Sequence, residues 1–94
     1  MKHIDIIDIM SNEEMLEKSV TICGWVRTSR DSKNMAFLEI NDGTSLKHMQ
    51  VVIDKEKINE VSDFMRLGTS LKITGTVVKA FKGDNVEINA EEIS

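Results

Sequence analysis

The chain has 94 residues, of which 40% are hydrophobic and 30% charged, with a formal net charge of −4 and a single cysteine. This length suits one domain, 1–94, and leaves no room for two. The sequence contains no apolar run near the roughly 20 residues that a membrane-spanning helix needs, no signal segment, and no second cysteine for an internal disulfide. We therefore expect a cytoplasmic protein.

The charge is unevenly distributed along the chain. Acidic residues crowd both ends, whereas Arg27, Arg30, Lys33 and Lys47 lie close together between them. Because binding to a nucleic-acid backbone is driven by Lys and Arg that replace phosphate counterions, the net charge argues against a tight, nonspecific nucleic-acid binder. A local basic patch on an acidic domain is compatible with it.

The N-terminal extension, residues 1–18, is apolar but irregular over its first ten positions. Ser11 followed by Glu14 fits a capping box, in which two side chains satisfy the amides at a helix start. This pattern predicts a short helix over about 12–18 that ends near Lys18.

The remaining segment, 19–93, alternates with period two in several places, which is typical of β-strands. Three strands come first, then a helix over about 55–67 closed by Gly68, then two more strands. The predicted inward faces are Val20, Ile22, Gly24 and Val26; Ala36, Leu38 and Ile40; Met49, Val51 and Ile53; Leu71, Ile73, Gly75 and Val77; and Val86, Ile88 and Ala90. The third strand is predicted over about 46–53, and turns at 31–34, 42–43 and 82–85 separate the strands.

This order predicts an all-β fold with one intervening helix, a five-stranded OB-fold barrel preceded by a short N-terminal helix. Gly24 and Gly75 lie inside strand patterns, where a small barrel needs bends or bulges. A plain α+β sandwich is the competing architecture.

Phe37 is an aromatic residue on a strand face that otherwise carries Glu39 and Asn41. It is either a surface phenylalanine covered by a loop or by the N-terminal helix, or an exposed platform on which a nucleic-acid base stacks. Gln50 lies on the outward face of the next strand, and its amide can both donate to and accept from a base edge. A solvated surface glutamine is the alternative.

Other candidate RNA contacts are charged. Arg27, Arg30 and Lys33 flank the first turn, where they can contact phosphates or simply be solvated. Glu87 lies on the outward face of the fifth strand and can accept from base amino groups, although the pattern alone favours a solvated charged face. Trp25 is expected to be packed. No metal-ligand spacing and no catalytic constellation is present, so the sequence predicts neither a zinc site nor catalysis.

The runs GWVRTSRDSK at 24–33, AFLEINDG at 36–43 and QVV at 50–52 closely resemble the N-terminal anticodon-binding domain of asparaginyl-tRNA synthetases. A looser form of the pattern is shared with aspartyl and lysyl enzymes, so an aspartyl-type domain stays open. The resemblance covers about residues 18–93. It implies that Phe37 stacks on the central anticodon uracil, that Gln50 hydrogen-bonds that base, that Arg30 contacts the loop, and that Glu87 helps to read a base.

The resemblance also implies an RNA partner and the absence of bound cofactors. The partner is the anticodon loop of a tRNA, expected to be tRNA-Asn, and the isolated barrel is expected to be a monomer although the full-length enzymes dimerise. These enzymes bind ATP and Mg²⁺ in a catalytic domain that this chain lacks, so no cofactor is expected here. We expect either a domain cut from such an enzyme or a free-standing relative, and the end of the chain near the fifth strand favours the former. A sequence-tolerant single-strand binder and a protein-interaction module are the alternative functions.

Overall fold

A computed structural model describes residues 4–10, 13–44, 47–58, 66–79 and 86–94. A five-residue helix and a single 3₁₀ turn precede five strands. Their bounds are α1 Ile6–Met10, the 3₁₀ turn Glu13–Met15, β1 Ser19–Asp31, β2 Met35–Asn41, β3 Met49–Asp54, β4 Ser70–Lys79 and β5 Val86–Ile93.

The five strands close into a barrel in the order β1-β2-β3-β5-β4. All neighbours are antiparallel except β3 and β5, which run parallel. The 13-residue β1 pairs with β4 along its first half and with β2 along its second half, and so closes the sheet on itself. The predicted barrel is confirmed, and the α+β sandwich is wrong.

The inward faces predicted from the alternating pattern form the core. Most of their side chains are at most 6% exposed, namely Val20, Ile22, Val26, Ala36, Leu38, Ile40, Met49, Val51, Ile53, Leu71, Ile73, Val77, Ile88 and Ala90. Val86 is only partly buried and packs against this cluster. Burying one large aliphatic side chain contributes about 1.5–3 kcal/mol, so this cluster supplies the main stabilisation of the barrel.

Two strand glycines allow backbones to approach each other closely. A Cβ added to Gly24 would lie 2.6 Å from the Asn41 carbonyl oxygen, and one added to Gly75 would lie 2.2 Å from the Asn89 carbonyl oxygen. Any side chain at either position would push the neighbouring strand away. The β4–β5 register shifts between Thr74 and Gly75, as expected for a strand glycine at a bulge, whereas the bulge in β1 lies between Val26 and Thr28 and not at Gly24.

The short N-terminal helix exists, but its predicted position is wrong. The α-helix is Ile6–Met10, and the described part of the predicted segment 12–18 contains only the 3₁₀ turn. Glu17 then takes a left-handed conformation with φ of 66° before β1 begins. Ser11 lies outside the described residues. The helix forms earlier because side chains of a distant segment, the loop after β2, cap its first turn.

Asp42 and Thr44, in the loop after β2, bind the first turn of α1. The Ile6 amide donates to Asp42 Oδ2 at 2.8 Å, and the Ile7 amide donates to Thr44 Oγ1 at 3.2 Å. These side chains satisfy amides that a helix start leaves without an intrahelical partner. The helix is thereby held so that Ile6 and Ile9, which are 0% and 1% exposed, join the core.

The predicted helix over 55–67 lies mostly outside the described residues, as does the predicted turn at 82–85. The described flank, 55–58, is a turn in which the Ile58 amide donates to the Asp54 carbonyl at 3.0 Å. Gly68 has a left-handed φ of 84°, but most of the helix that it was predicted to close lies outside the described residues. Within the described segments, no helix has the length and apolarity that crossing a membrane requires.

Candidate nucleic-acid interface

Strand register brings four of the six predicted contact residues, Arg30, Phe37, Gln50 and Glu87, into two adjacent rows on the outer face of the sheet. The first, the Phe37 row, crosses β1, β2, β3 and β5 as Arg30, Phe37, Val52 and Asn89. The second, the Gln50 row, crosses the same strands as Thr28, Glu39, Gln50 and Glu87. We call these two rows together the polar face. Residues two apart on one strand share a face, so the rows lie side by side.

A bulge in β1 places Arg30 on the polar face. Val26 pairs with Ile40 and Thr28 with Glu39, so Arg27 is an extra residue that shifts the alternation. Simple alternation from Val26 would have turned Arg30 toward the core. The bulge turns it outward, opposite Phe37.

Phe37 is half-buried, which lies between the covered surface phenylalanine and the exposed platform that the sequence left open. The Arg30 guanidinium carbon lies 5.1 Å from the centroid of the Phe37 ring, which is a cation–π contact. On its other side in the row lies Val52, which is 9% exposed. Phe37 therefore lies between an apolar neighbour and a cation that covers part of its ring.

Gln50 and Glu87 are joined by a hydrogen bond across the parallel β3–β5 pair. Gln50 Nε2 donates to Glu87 Oε2 at 3.0 Å. Burial raises the pKa of the Glu87 carboxyl, and the hydrogen bond from Gln50 acts in the opposite direction without cancelling it. A partly desolvated carboxylate with few donors favours further hydrogen-bond donors at this position.

Glu39, on the other side of Gln50, already has partners of its own. Thr28 Oγ1 donates to Glu39 Oε1 at 2.8 Å, and His48 Nδ1 lies 3.5 Å from Glu39 Oε2. Sequence reasoning did not assign these contacts. Only the β1–β2 and β2–β3 registers bring the three residues together.

Arg27 and Lys33 border the polar face and are not part of either row. Arg27 is exposed at the bulge, and Lys33 is exposed in the turn between β1 and β2. Lys55 braces this turn through an ion pair with Asp31 and a 2.6 Å hydrogen bond from Nζ to the Ser32 carbonyl. The turn is therefore tied to the end of β3, which holds Lys33 at the rim of the face.

Trp25 differs from its prediction. It was expected to be packed but is 37% exposed, on the outer side of β1 opposite Asn41. The described segments contain no group of three or more His, Cys, Asp or Glu side chains that could hold a metal ion.

A closed five-stranded barrel with a polar outer face of this kind defines an OB-fold domain, a class that binds oligonucleotides on its second and third strands. Residues 20–94 match the tRNA anticodon family, described as an OB-fold nucleic acid binding domain, and the chain belongs to that family.

Among its relatives are asparagine–tRNA ligases. That of Wigglesworthia glossinidia brevipalpis is 42% identical over 89 residues, covering 92% of this chain and 19% of the relative. The chain thus spans about a fifth of the length of the curated relatives it matches.

Solved synthetase structures share the fold. The aspartyl-tRNA synthetase of Entamoeba histolytica superposes with a TM-score of 0.82 at 29% identity, covering 99% of this chain and 21% of that one. The asparaginyl-tRNA synthetase of Pyrococcus horikoshii complexed with asparaginyl-adenylate also gives 0.82, at 22% identity, covering 100% of this chain and 22% of that one.

Proposed function

We propose that this domain recognises the anticodon loop of tRNA-Asn as part of an asparagine–tRNA ligase. The observation that supports this most is the polar face itself. It presents an aromatic ring, Phe37, beside a base-reading amide, Gln50, on the second and third strands of an OB barrel. Stacking and edge recognition of one splayed base require these two groups side by side.

Base stacking on Phe37 supplies the first step. Base–aromatic stacking contributes about 1–3 kcal/mol per base. Arg30 covers part of the ring in the free protein, so a base that arrives on that side displaces the guanidinium. The displaced guanidinium then contacts a loop phosphate or the base edge. Arg30 thus covers Phe37 in the free domain and contacts RNA in the complex.

Recognition of the base edge is the second step. Gln50 lies one row from Phe37, and its amide hydrogen-bonds the base that Phe37 stacks. Glu87 lies beside Gln50 and accepts a hydrogen bond from its Nε2 at 3.0 Å. Arg27 and Lys33, exposed at the border of the face, contact the phosphates and set the register of the loop.

The affinity follows from the charge. With a net charge of −4 and three candidate phosphate contacts, we expect the isolated domain to bind an anticodon stem-loop in the micromolar range or more weakly. The domain contributes no catalytic group. ATP, Mg²⁺ and asparagine are bound by the remaining part of the ligase. The ligase acts in the cytoplasm, and the isolated barrel is a monomer.

The test is a titration of the domain with an anticodon stem-loop whose anticodon is GUU and with one whose central uracil is replaced by adenine. We expect weaker binding of the second by about tenfold or more, because the larger two-ring base does not fit the position that uracil takes between Phe37 and Gln50. Equal affinities for the two stem-loops would contradict the proposal and favour a sequence-tolerant single-strand binder. The absence of binding to either stem-loop would favour a protein-interaction module.

A further inference from the structure

The Gln50 amide has two ends, and Glu87 selects which one faces it. An ionised carboxylate only accepts hydrogen bonds, so the Nε2 end of Gln50 must face Glu87 Oε2, at 3.0 Å. The oxygen end therefore faces away from Glu87. Within the part of the chain that the structure describes, no partner is seen for Gln50 Oε1.

The carboxylate on the opposite side of Gln50 does not compete for the amide. Glu39 is directly opposite Gln50 on β2, but it is engaged by Thr28 at 2.8 Å and by His48 at 3.5 Å. If Glu39 held the Gln50 nitrogen, the amide would be reversed. Glu39 is thus occupied by Thr28 and His48, and the hydrogen bond that Gln50 Nε2 donates to Glu87 sets the orientation.

Amide orientation matters because uracil and cytosine present inverted patterns at their Watson–Crick edges. Uracil donates from N3 and accepts at O4, whereas cytosine accepts at N3 and donates from N4. An amide whose oxygen faces position 3 and whose nitrogen faces position 4 matches uracil. The reversed amide matches cytosine, and either amide set against the wrong base leaves both polar pairs unsatisfied.

We infer that Glu87 is a positioning residue that locks the Gln50 amide in the orientation that accepts from N3–H of uracil and thereby rejects cytosine. This inference rests on the proposed function, in which Gln50 reads the base stacked on Phe37. Glu87 then acts through Gln50 and needs no contact of its own with that base.

The location of Glu87 suits this role. It is half-buried and pairs with Gln50 in the β3–β5 register, so its position is set by the backbone of two core strands. A carboxylate in a fixed, partly desolvated position orients an amide more strongly than a solvated one does, because water competes less for the hydrogen bond.

Glu87→Gln keeps a hydrogen bond to Gln50 but no longer fixes the orientation of the Gln50 amide. The introduced amide keeps the shape of the side chain and can still accept from Gln50 Nε2, but it can equally donate to Gln50 Oε1. Both orientations of Gln50 then become accessible. Glu92→Gln is the matched control, because Glu92 is an exposed carboxylate on the same strand and pairs with Thr74, away from Gln50.

The experiment measures dissociation constants at pH 7 for stem-loops with a central uracil or a central cytosine. We expect the wild type and Glu92→Gln to prefer uracil by about tenfold or more, because cytosine leaves both polar pairs with the Gln50 amide unsatisfied. Glu87→Gln should retain uracil binding and lose most of that preference by gaining affinity for cytosine. An unchanged preference in Glu87→Gln would overturn the inference.

A double-mutant cycle tests whether Glu87 contacts the base directly or acts through Gln50. If Glu87 acts through Gln50, adding Glu87→Gln to Gln50→Ala leaves the uracil-to-cytosine ratio unchanged. A further change in the ratio in the Gln50→Ala background would overturn the positioning role. A wild type that rejects adenine but binds uracil and cytosine equally would overturn this inference and leave the proposed function standing.

Discussion

Two carboxylates in this barrel have opposite surroundings. Asp42, at the end closed by α1, accepts from the Thr44 hydroxyl at 2.6 Å, from the Ile6 amide at 2.8 Å and from the Thr44 amide at 3.0 Å. Glu87, on the polar face, accepts from Gln50 at 3.0 Å. Burial raises the pKa of both groups, but the hydrogen bonds outweigh it at Asp42, whose pKa is lowered, and do not at Glu87, whose pKa is raised.

The opposite pKa shifts indicate different roles: Asp42 stabilises the fold, whereas Glu87 is available to act on a ligand. A lowered pKa means that the folded state favours the ionised form of Asp42, so that carboxylate stabilises the fold. A raised pKa means that ionising Glu87 costs folding free energy. Glu87 instead accepts from Gln50, and this hydrogen bond orients the amide that we propose reads a base.

Asp42→Ala should give the largest effect on stability. It removes charge-assisted hydrogen bonds that dock α1, so we expect the free energy of unfolding to fall by about 2–3 kcal/mol in urea titrations. RNA affinity should stay within about twofold, because Asp42 is outside both rows of the polar face. Glu56→Ala, at an exposed carboxylate in the turn after β3, is the control. An equal loss of stability in the two variants would refute the capping role.

Phe37→Ala should show the converse pattern. We expect affinity for the GUU stem-loop to fall about tenfold or more through lost stacking, with a cooperative unfolding transition retained. Trp25→Ala is the matched control, since Trp25 is an exposed aromatic outside the two rows, and it should change affinity less than twofold. If Phe37→Ala unfolds the domain, Phe37 belongs to the core and the stacking proposal fails.

The pH dependence of stability should differ between the two carboxylates. The contribution of Asp42 is present above its unfolded-state pKa and is lost as pH falls through its lower folded-state pKa. Glu87 behaves oppositely: stability is highest below its unfolded-state pKa and falls as pH rises through its higher folded-state pKa. Glu87→Gln should therefore be more stable than wild type by about 0.5 kcal/mol at pH 7, with a smaller difference at pH 4. Urea midpoints at the two pH values test this, and a difference that grows toward pH 4 contradicts it.

Arg30→Lys should have the smallest effect on stability. The cation–π contact with Phe37 contributes about 0.5–1 kcal/mol at an exposed site, and a lysine retains the charge but not the planar guanidinium. We expect a loss of stability below about 0.5 kcal/mol and a severalfold loss of RNA affinity. Lys72→Arg on β4, away from the polar face, is the control, and equal RNA affinities of the two variants would argue against a role for the guanidinium.

The sequence alone determined the strands, their inward faces and the candidate base-contacting residues. Alternation of apolar residues is a local signal, and core burial imposes it on every strand of a small barrel. The aromatic residue on a polar face and the runs around Gly24, Phe37 and Gln50 were likewise visible in the sequence and led to the family that residues 20–94 then matched.

Only the tertiary structure decided how these residues are held. Asp42 is 36 positions from the helix it caps, and Gln50 is 37 positions from Glu87 across a parallel strand pair. The bulge at Arg27 turns Arg30 outward onto Phe37, against the period of the pattern. Periodicity and capping rules describe neighbours along the chain, whereas these contacts depend on barrel closure and strand register, which bring distant residues together.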